Sequence, residues 1–324
     1  MSPQVICLGE CLIDRIFHRY DAHQPDAACW HDYPGGAPAN VATGLAKLGN
    51  SSGFLGCIGQ DSAGEQILST LTASGIDCSH VQIHPAAPTR VVLVHRDARG
   101  DRHFVGFSQS QIDGYADTLM QPDPLPDHWF DTASFLVMGT LGLAYATTRN
   151  SMKKALEWSK RKGMTTVVDI NWRPPFWPET HLAPGQIKAF INQADIVKLS
   201  QEEAHWLFQT SDARQILKQL DRPQVVLMTA GAAGCWYATA SINGTIPAFP
   251  VECEDTTGAG DAFLAGFIHK LCQAGLESLD DAHLLQQGIR YACAAGALTT
   301  LRPGAMAAQP RAEEVDAFLY LKLS

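Results

Sequence analysis

The sequence predicts an α/β protein: a doubly wound, mostly parallel sheet flanked by helices, with a small β-sheet inserted as a lid. Three observations carry that prediction. Short continuous apolar runs recur along the chain, the pattern of strands buried on both faces. A helical pattern separates each run from the next, which is the βα alternation of a parallel sheet. Two stretches, 12–33 and 89–107, break the alternation and read as insertions.

The first strand is Val5-Ile6-Cys7-Leu8, closed by Gly9. Further strands are predicted at 52–58, 133–138, 165–170, 196–199 and 225–229. Helices are predicted at 39–48, 63–74, 147–162, 201–208, 213–220, 259–274, 282–301 and 312–321. In such a sheet ligands collect at the carboxyl ends of the strands, so chemistry is sought there. In the second insertion, 90–95 and 102–107 flank the turn Asp97-Ala98-Arg99-Gly100, which is hairpin chemistry. A hairpin does not enter a parallel sheet easily, so it is read as a separate β-layer, a lid or a dimer face. At 324 residues the chain sits near the upper size for one core, which predicts a single domain, 1–324, with lid insertions.

Composition excludes several classes. Apolar residues make up 46% and charged residues 18%, with no disordered tract, as in a globular protein able to build a core. A net charge of −9 without a run of Lys or Arg argues against a nucleic-acid partner, yet leaves room for one ATP held by backbone amides and a metal. No apolar run approaches the roughly 20 residues of a membrane span. Nine cysteines, an odd number without a Cys-x-x-Cys pair and behind no leading signal peptide, predict a reducing compartment, the cytoplasm. Cys78, His80 and His84 lack a fourth ligand nearby and read as solvated loop residues rather than a zinc site.

The strongest chemical signal is Asp255-Thr256-Thr257-Gly258-Ala259-Gly260-Asp261, running directly into the apolar Ala262-Phe263-Leu264-Ala265-Gly266-Phe267-Ile268. Gly258 and Gly260 clear side chains from a tight turn, so that amides at a helix start converge on one anion. Asp261 then stands in the first helical turn beside a bound phosphate. That is a poor place for a second negative charge unless the carboxylate has a task, and taking the proton of a hydroxyl nucleophile is such a task. Gly-Ala-Gly alone would read as a loop-to-helix junction with Asp261 on the helix dipole, but the seven-residue string is far more specific. A second string, Gly35-Gly36-Ala37-Pro38-Ala39-Asn40-Val41-Ala42, sets a glycine pair before a helix whose early Asn40 offers both a donor and an acceptor.

The two strings, about 220 residues apart and in this order, resemble the N- and C-terminal signatures of the PfkB, or ribokinase-like, carbohydrate kinases, and the resemblance runs along essentially the whole chain. It implies that residues 258–261, with Gly258, Ala259 and Gly260 as the anion hole and Asp261 as the base, form the catalytic centre. It also implies that Asp14, five residues after Gly9, binds sugar hydroxyls with Gly35, Gly36 and Asn40. Asp169-Ile170-Asn171-Trp172-Arg173, with Trp177, is similar to a fructokinase and 2-keto-3-deoxygluconate kinase segment and implies a sugar-binding role for Arg173. Thr229-Ala230-Gly231-Ala232-Ala233-Gly234 is similar to the family's ATP-binding turn, and Ser200, Gly260 and Ala292 join Thr229, Gly231 and Gly234 as implied nucleotide contacts. Lys198-Leu199-Ser200-Gln201-Glu202-Glu203 matches the segment in which Glu203 would order the magnesium water shell, with Ser200 standing where ribokinases carry Asn. Leu301-Arg302-Pro303-Gly304-Ala305-Met306 resembles the loop beside adenine, and implies a potassium site from Asp255 and Thr257 with the carbonyls of Arg302 and Gly304.

The resemblance therefore implies an ATP-dependent, Mg2+-requiring sugar kinase, most similar to the fructokinase branch, that converts fructose to fructose 6-phosphate. Ribose, 2-keto-3-deoxygluconate and nucleosides remain alternative acceptors, the choice resting with lid side chains near Arg90, His95 and Phe104. A homodimer through the inserted sheet is also implied. A sugar-sensing relative without catalysis is disfavoured by the intact Asp261 and the two glycines before it. A dinucleotide-dependent oxidoreductase is disfavoured because no Gly-x-Gly-x-x-Gly follows the first strand.

Overall fold

The computed structural model describes residues 2–18, 30–96 and 102–323. In chain order its elements are β1 (Val5–Leu8), β2 (Leu12–His18), β3 (Trp30–Gly35), α1 (Ala37–Lys47), β4 (Ser52–Leu55), β5 (Cys57–Gly59), α2 (Ser62–Ala73), β6 (Gln82–His84), β7 (Val91–Arg96) and β8 (Arg102–Phe107). Next come α3 (Asp127–Phe130), β9 (Phe135–Met138), α4 (Ala146–Lys162), β10 (Thr165–Asp169), α5 (Ala183–Ile191), β11 (Ile196–Ser200), α6 (Gln201–Phe208), α7 (Ala213–Leu217) and β12 (Val225–Thr229). The chain closes with β13 (Cys235–Ala238), β14 (Asn243–Ile246), α8 (Ala259–Ala274), α9 (Ala282–Thr299) and α10 (Ala312–Leu323).

The main sheet runs β14-β13-β12-β11-β10-β9-β1-β4. Every pairing from β12 to β4 is parallel, while β13 and β14 add an antiparallel edge. Residues of β1 alternate between two cores, which is why the run is apolar without interruption. Val5 and Cys7 face a layer holding Leu45 of α1, Phe267 of α8 and Ile289 of α9. Ile6 and Leu8 face Met152 and Leu156 of α4, Ile187 of α5 and Leu207 of α6. From β1 the chain passes to β4 on one side and later returns to β9 on the other. The carboxyl ends of β1 and β9 therefore flank the switch point, where a crevice opens in sheets of this kind.

Both insertions enter one four-stranded sheet, β3-β2-β7-β8, and the predicted hairpin is the antiparallel β7–β8 pair, its turn lying outside the described residues. Leu12, Ile16, Val92 and Val94 press this lid onto the core beneath. Among the described residues no helix is long and apolar enough to cross a membrane.

Several boundaries differ from expectation. The predicted strand 52–58 is two strands that part at Gly56: β4 joins the main sheet, while β5 pairs with β6. Helix α7 stops at Leu217 rather than 220, and α9 at Thr299 rather than 301. Helix α5 was not expected, because Pro184 and Gly185 open it and obscure its apolar face of Ala183, Ile187, Phe190 and Ile191. Strands β13 and β14 were also missed, each being four residues long and β14 half exposed.

Candidate active site

The chain leaves β1 through Gly9 and Glu10 and turns up into the lid, where Asp14 stands opposite Tyr33 of β3 and Val92 of β7. Asp14 Oδ2 lies 3.1 Å from the point where a side chain on Gly35 would begin. Gly36 has φ 107°, and a Cβ there would sit 2.5 Å from the Glu10 carbonyl oxygen, so only glycine lets the two backbones meet. α1 begins at once, with Pro38 in its first turn, where a missing N–H costs nothing. One turn in, Asn40 Nδ2 donates to Asp261 Oδ2 at 2.8 Å, so the two sequence signatures touch.

Asp261 is in the first turn of α8, whose N-terminus is Gly258 at φ 78° with no side-chain cap. An uncapped helix start leaves amide protons and the positive end of the dipole facing the crevice. Burial pushes the Asp261 carboxyl up to about 6; Lys198 and the Asn40 hydrogen bond oppose the rise and Asp169 adds to it. A carboxylate so placed is half charged near pH 6 and mostly ionised at neutrality, ready to accept a proton.

Beneath α8 lies an ion pair that the sequence reading did not assign. Lys198 Nζ donates to Asp169 Oδ2 at 2.8 Å, with both side chains almost fully buried. Burial lowers the lysine's proton affinity, but Asp169, Glu203 and Asp261 more than offset it, so Lys198 stays charged. A Cβ on Gly260 would lie 2.8 Å from that ammonium, so Gly260 gives it access to the crevice. The signal was present in the sequence, since a Lys inside the run Ile-Val-Lys-Leu-Ser and an Asp closing Thr-Thr-Val-Val-Asp demand partners once buried. Glu10, at the mouth of β1, was missed in the same way.

Glu203 is placed differently from the implied role. Its Oε2 accepts from the Ser200 amide at 2.7 Å and its Oε1 from the Trp172 amide at 2.5 Å, so both oxygens are engaged with backbone. Together with the Ser200 hydroxyl, which accepts from Glu203 N, this is a capping box on α6. Its carboxyl is raised by burial and by Asp169. Ser200 and Thr229 are register partners at the ends of β11 and β12. Gly231 opens the β12–β13 turn, and Gly234 closes it against the Ile246 carbonyl, where a Cβ would meet the oxygen at 2.1 Å. Ala292 does not line the crevice: it is fully buried in the α8–α9 seam facing Gly266, because α9 packs that face against α8.

The C-terminal loop meets the same helix start. Asp255 Oδ1 accepts from Thr257 N at 3.0 Å and Thr257 Oγ1 at 2.7 Å, while its Oδ2 accepts from Gly304 N at 3.1 Å. The Arg302 side chain turns away to Glu314 at 2.6 Å. Arg173 is exposed and donates to the Trp172 carbonyl at 2.9 Å, while Trp172 stacks on Trp206 with centroids 4.3 Å apart. Arg90, expected among the acceptor-selecting lid residues, is instead fully buried on Asp117 at 2.8 Å and ringed by Tyr115, Phe176, Phe107 and Tyr145. His95 stacks on Phe17, and Phe104 packs edge-on against Phe107. A cavity of about 420 Å3 borders Val225, Arg214 and Thr239, at the end of the sheet opposite these groups.

An uncapped helix start, a buried lysine and a carboxylate raised toward neutrality suit the transfer of a phosphoryl group to an alcohol, the chemistry of an α/β phosphotransferase. The comparisons agree. The chain belongs to the pfkB family carbohydrate kinases, whose profile matches residues 2–312. It is 33% identical over 318 residues to the probable chloroplastic fructokinase-6 of Arabidopsis thaliana, covering 97% of this chain and 82% of that one. Among solved structures it is similar to a fructokinase with bound ATP from Xylella fastidiosa, with a TM-score of 0.91, 28% identity and all of both chains covered. A fructokinase double mutant from Vibrio cholerae O395, with fructose, ADP and potassium bound, gives a TM-score of 0.84 at 28% identity, over 98% of this chain and 99% of that one.

Proposed function

We propose that this kinase transfers the γ-phosphoryl group of ATP to the primary hydroxyl of fructose, yielding fructose 6-phosphate and ADP. The observation that carries the reading is the 2.8 Å hydrogen bond from Asn40 to Asp261, which sets the expected hydroxyl-binding wall against the expected base. In this reading Asp14, Gly35, Gly36 and Asn40 hold the sugar, and Arg173 closes onto it from the rim. Asp261 Oδ accepts the hydroxyl proton as the sugar oxygen bonds to the γ-phosphorus and the bond from phosphorus to the β-bridging oxygen breaks. Amides of Gly258, Gly260 and Asp261, with Lys198 behind Gly260, balance the charge on the transferred group, while the Ala259 amide already donates to the Thr256 carbonyl at 3.2 Å.

Ser200, Thr229, Gly231 and Gly234 border the nucleotide in this reading. The donor set suits magnesium carried on the triphosphate: no group of three His, Cys, Asp or Glu side chains converges among the described residues, and Glu203 is engaged with amides. Bound there, the ion would neutralise phosphate charge, and Glu203 would fix the loops around it. We assign potassium, the ion bound to the Vibrio relative, to the loop junction of Asp255, Thr257, Arg302 and Gly304. We further place the chain in a reducing compartment, the cytoplasm, since the eight described cysteines are all unpaired. A homodimer through the lid fits its exposed Trp30, Phe104 and Val105.

The test is an ADP-release assay with fructose, ribose, 2-keto-3-deoxygluconate and a nucleoside panel. Fructose is expected to give the highest kcat/KM. Preference for another acceptor overturns the assignment of fructose, and absence of ADP with every acceptor overturns catalysis.

A further inference from the structure

Three oxygens at the crevice are buried without a hydrogen-bond partner: Glu10 Oε2, Asn40 Oδ1 and Asp169 Oδ1. Native proteins rarely leave such atoms unpaired, and each one that is so left calls for an explanation, a role in the site's chemistry among them. Asn40 and Asp169 already act within the site through their other atoms. Glu10 has no assigned task, although its residue is only 5% exposed.

Its geometry is one-sided. Oε1 accepts from the Ala37 amide at 3.3 Å and lies 3.5 Å from Asn171 Nδ2, which fixes the carboxyl between the start of α1 and the loop after β10. Oε2 points the other way. It lies 3.8 Å from the point where a side chain on Gly139 would begin, and Pro38 Cγ is the same distance from that point, with no other neighbouring atom as close. Gly139 directly follows β9, and Glu10 follows β1 by one residue, so Oε2 faces the space between the two strand ends that form the switch point.

We propose that Glu10 is a further sugar-binding residue, whose Oε2 pairs with one hydroxyl of the acceptor on the floor of the crevice. This rests on the sugar-kinase reading above. Burial, with Asp117 and Asp261 nearby, pushes the Glu10 carboxyl up to about 8, so near neutrality it carries a proton and donates to the sugar oxygen. A neutral acid suits this place, because a second full charge beside Asp261 would oppose the base.

The test pairs enzyme and substrate deletions. Wild type, Glu10→Ala and Glu10→Gln are assayed with fructose and with deoxyfructoses lacking one hydroxyl each. Glu10→Ala is expected to lose about 10- to 100-fold in kcat/KM for fructose with KM for ATP unchanged, as when a buried polar contact is cut. That loss disappears for the one deoxyfructose missing the partnered hydroxyl. Glu10→Gln keeps an acceptor for Ala37 and an N–H donor for the sugar, and is expected within about fivefold of wild type. An equal loss with every sugar overturns the contact and marks Glu10 as scaffold only. A Glu10→Gln enzyme as impaired as Glu10→Ala overturns the donor role. If wild type turns over no sugar, the kinase reading fails first; active wild type with indifferent Glu10 variants sinks this proposal alone. Should Glu10→Ala not fold, a wild-type structure with fructose decides: Oε2 within about 3.2 Å of a sugar oxygen supports the contact, and separation beyond about 4 Å overturns it.

Discussion

Replacing Asp261 by Asn keeps the side-chain shape and the acceptor for Asn40 while removing the proposed proton acceptor. Activity is expected to fall by about 10²- to 10⁴-fold, the usual contribution of a positioned base. The same change should stabilise the fold. The carboxyl is raised from 3.8 to about 6, and at 1.36 kcal/mol per tenfold change in proton affinity the folded protein disfavours the charged form by about 3 kcal/mol. Wild type has its full stability from this group below pH 3.8 and loses it as the pH rises through about 6. Asn carries no charge to bury, so the variant should melt higher than wild type at pH 8 and level with it near pH 4. That figure of about 3 kcal/mol already sets the attraction between Asp261 and Lys198 against the cost of burial. The assays are ADP release with saturating fructose and denaturant unfolding at the two pH values. Activity near wild type would refute the assignment of the base, and a stability gain equal at both pH values would refute the burial argument.

Asn40→Ala removes a donor that favours the charged Asp261. The acid limb of kcat/KM, expected near pH 6 in wild type, should move up by about one pH unit, the equivalent of a charged hydrogen bond of about 1.4 kcal/mol; a fixed limb counts against the link. Lys198→Met strands Asp169 in the interior and should destabilise by about 3–5 kcal/mol in urea titrations. Adding Asp169→Leu should restore most of that stability while activity stays at least about 10²-fold down, and recovery of both would assign the pair to structure alone. Gly260→Ala places a methyl 2.8 Å from the Lys198 ammonium and should lower kcat by about 10²-fold with an unchanged melting point, checked by kinetics and calorimetry.

The parts of the fold legible in the sequence were those with an undivided physical signal. Strand β1, buried on both faces, can only be apolar throughout, and α6 and α8 begin at the expected residues because the capping side chain of Ser200 and the left-handed turn at Gly258 mark their starts. Helix α5 was hidden because its apolar face is interleaved with a proline and a glycine that signal a loop. In the site, glycine strings can be read because backbone approach leaves a trace in residue identity. Lys198, Asp169 and Glu10 were passed over because one charge inside an apolar run is ambiguous until its partner is known. Arg90 misled in the opposite sense: a lid arginine suggests a ligand, and only the rings of Tyr115 and Phe176 reveal a buried strut.

The hydrogen bond between Asn40 and Asp261 spans 221 positions of the chain. As the polypeptide emerges from the ribosome, the proposed sugar-binding wall is therefore complete long before the helix carrying the proposed base exists. A nascent or prematurely terminated product ending before Gly258 holds half a cleft and no means of splitting ATP. Loop-closure entropy makes that last docking step slow relative to local helix formation, so recovery of turnover during refolding should trail recovery of helical circular dichroism.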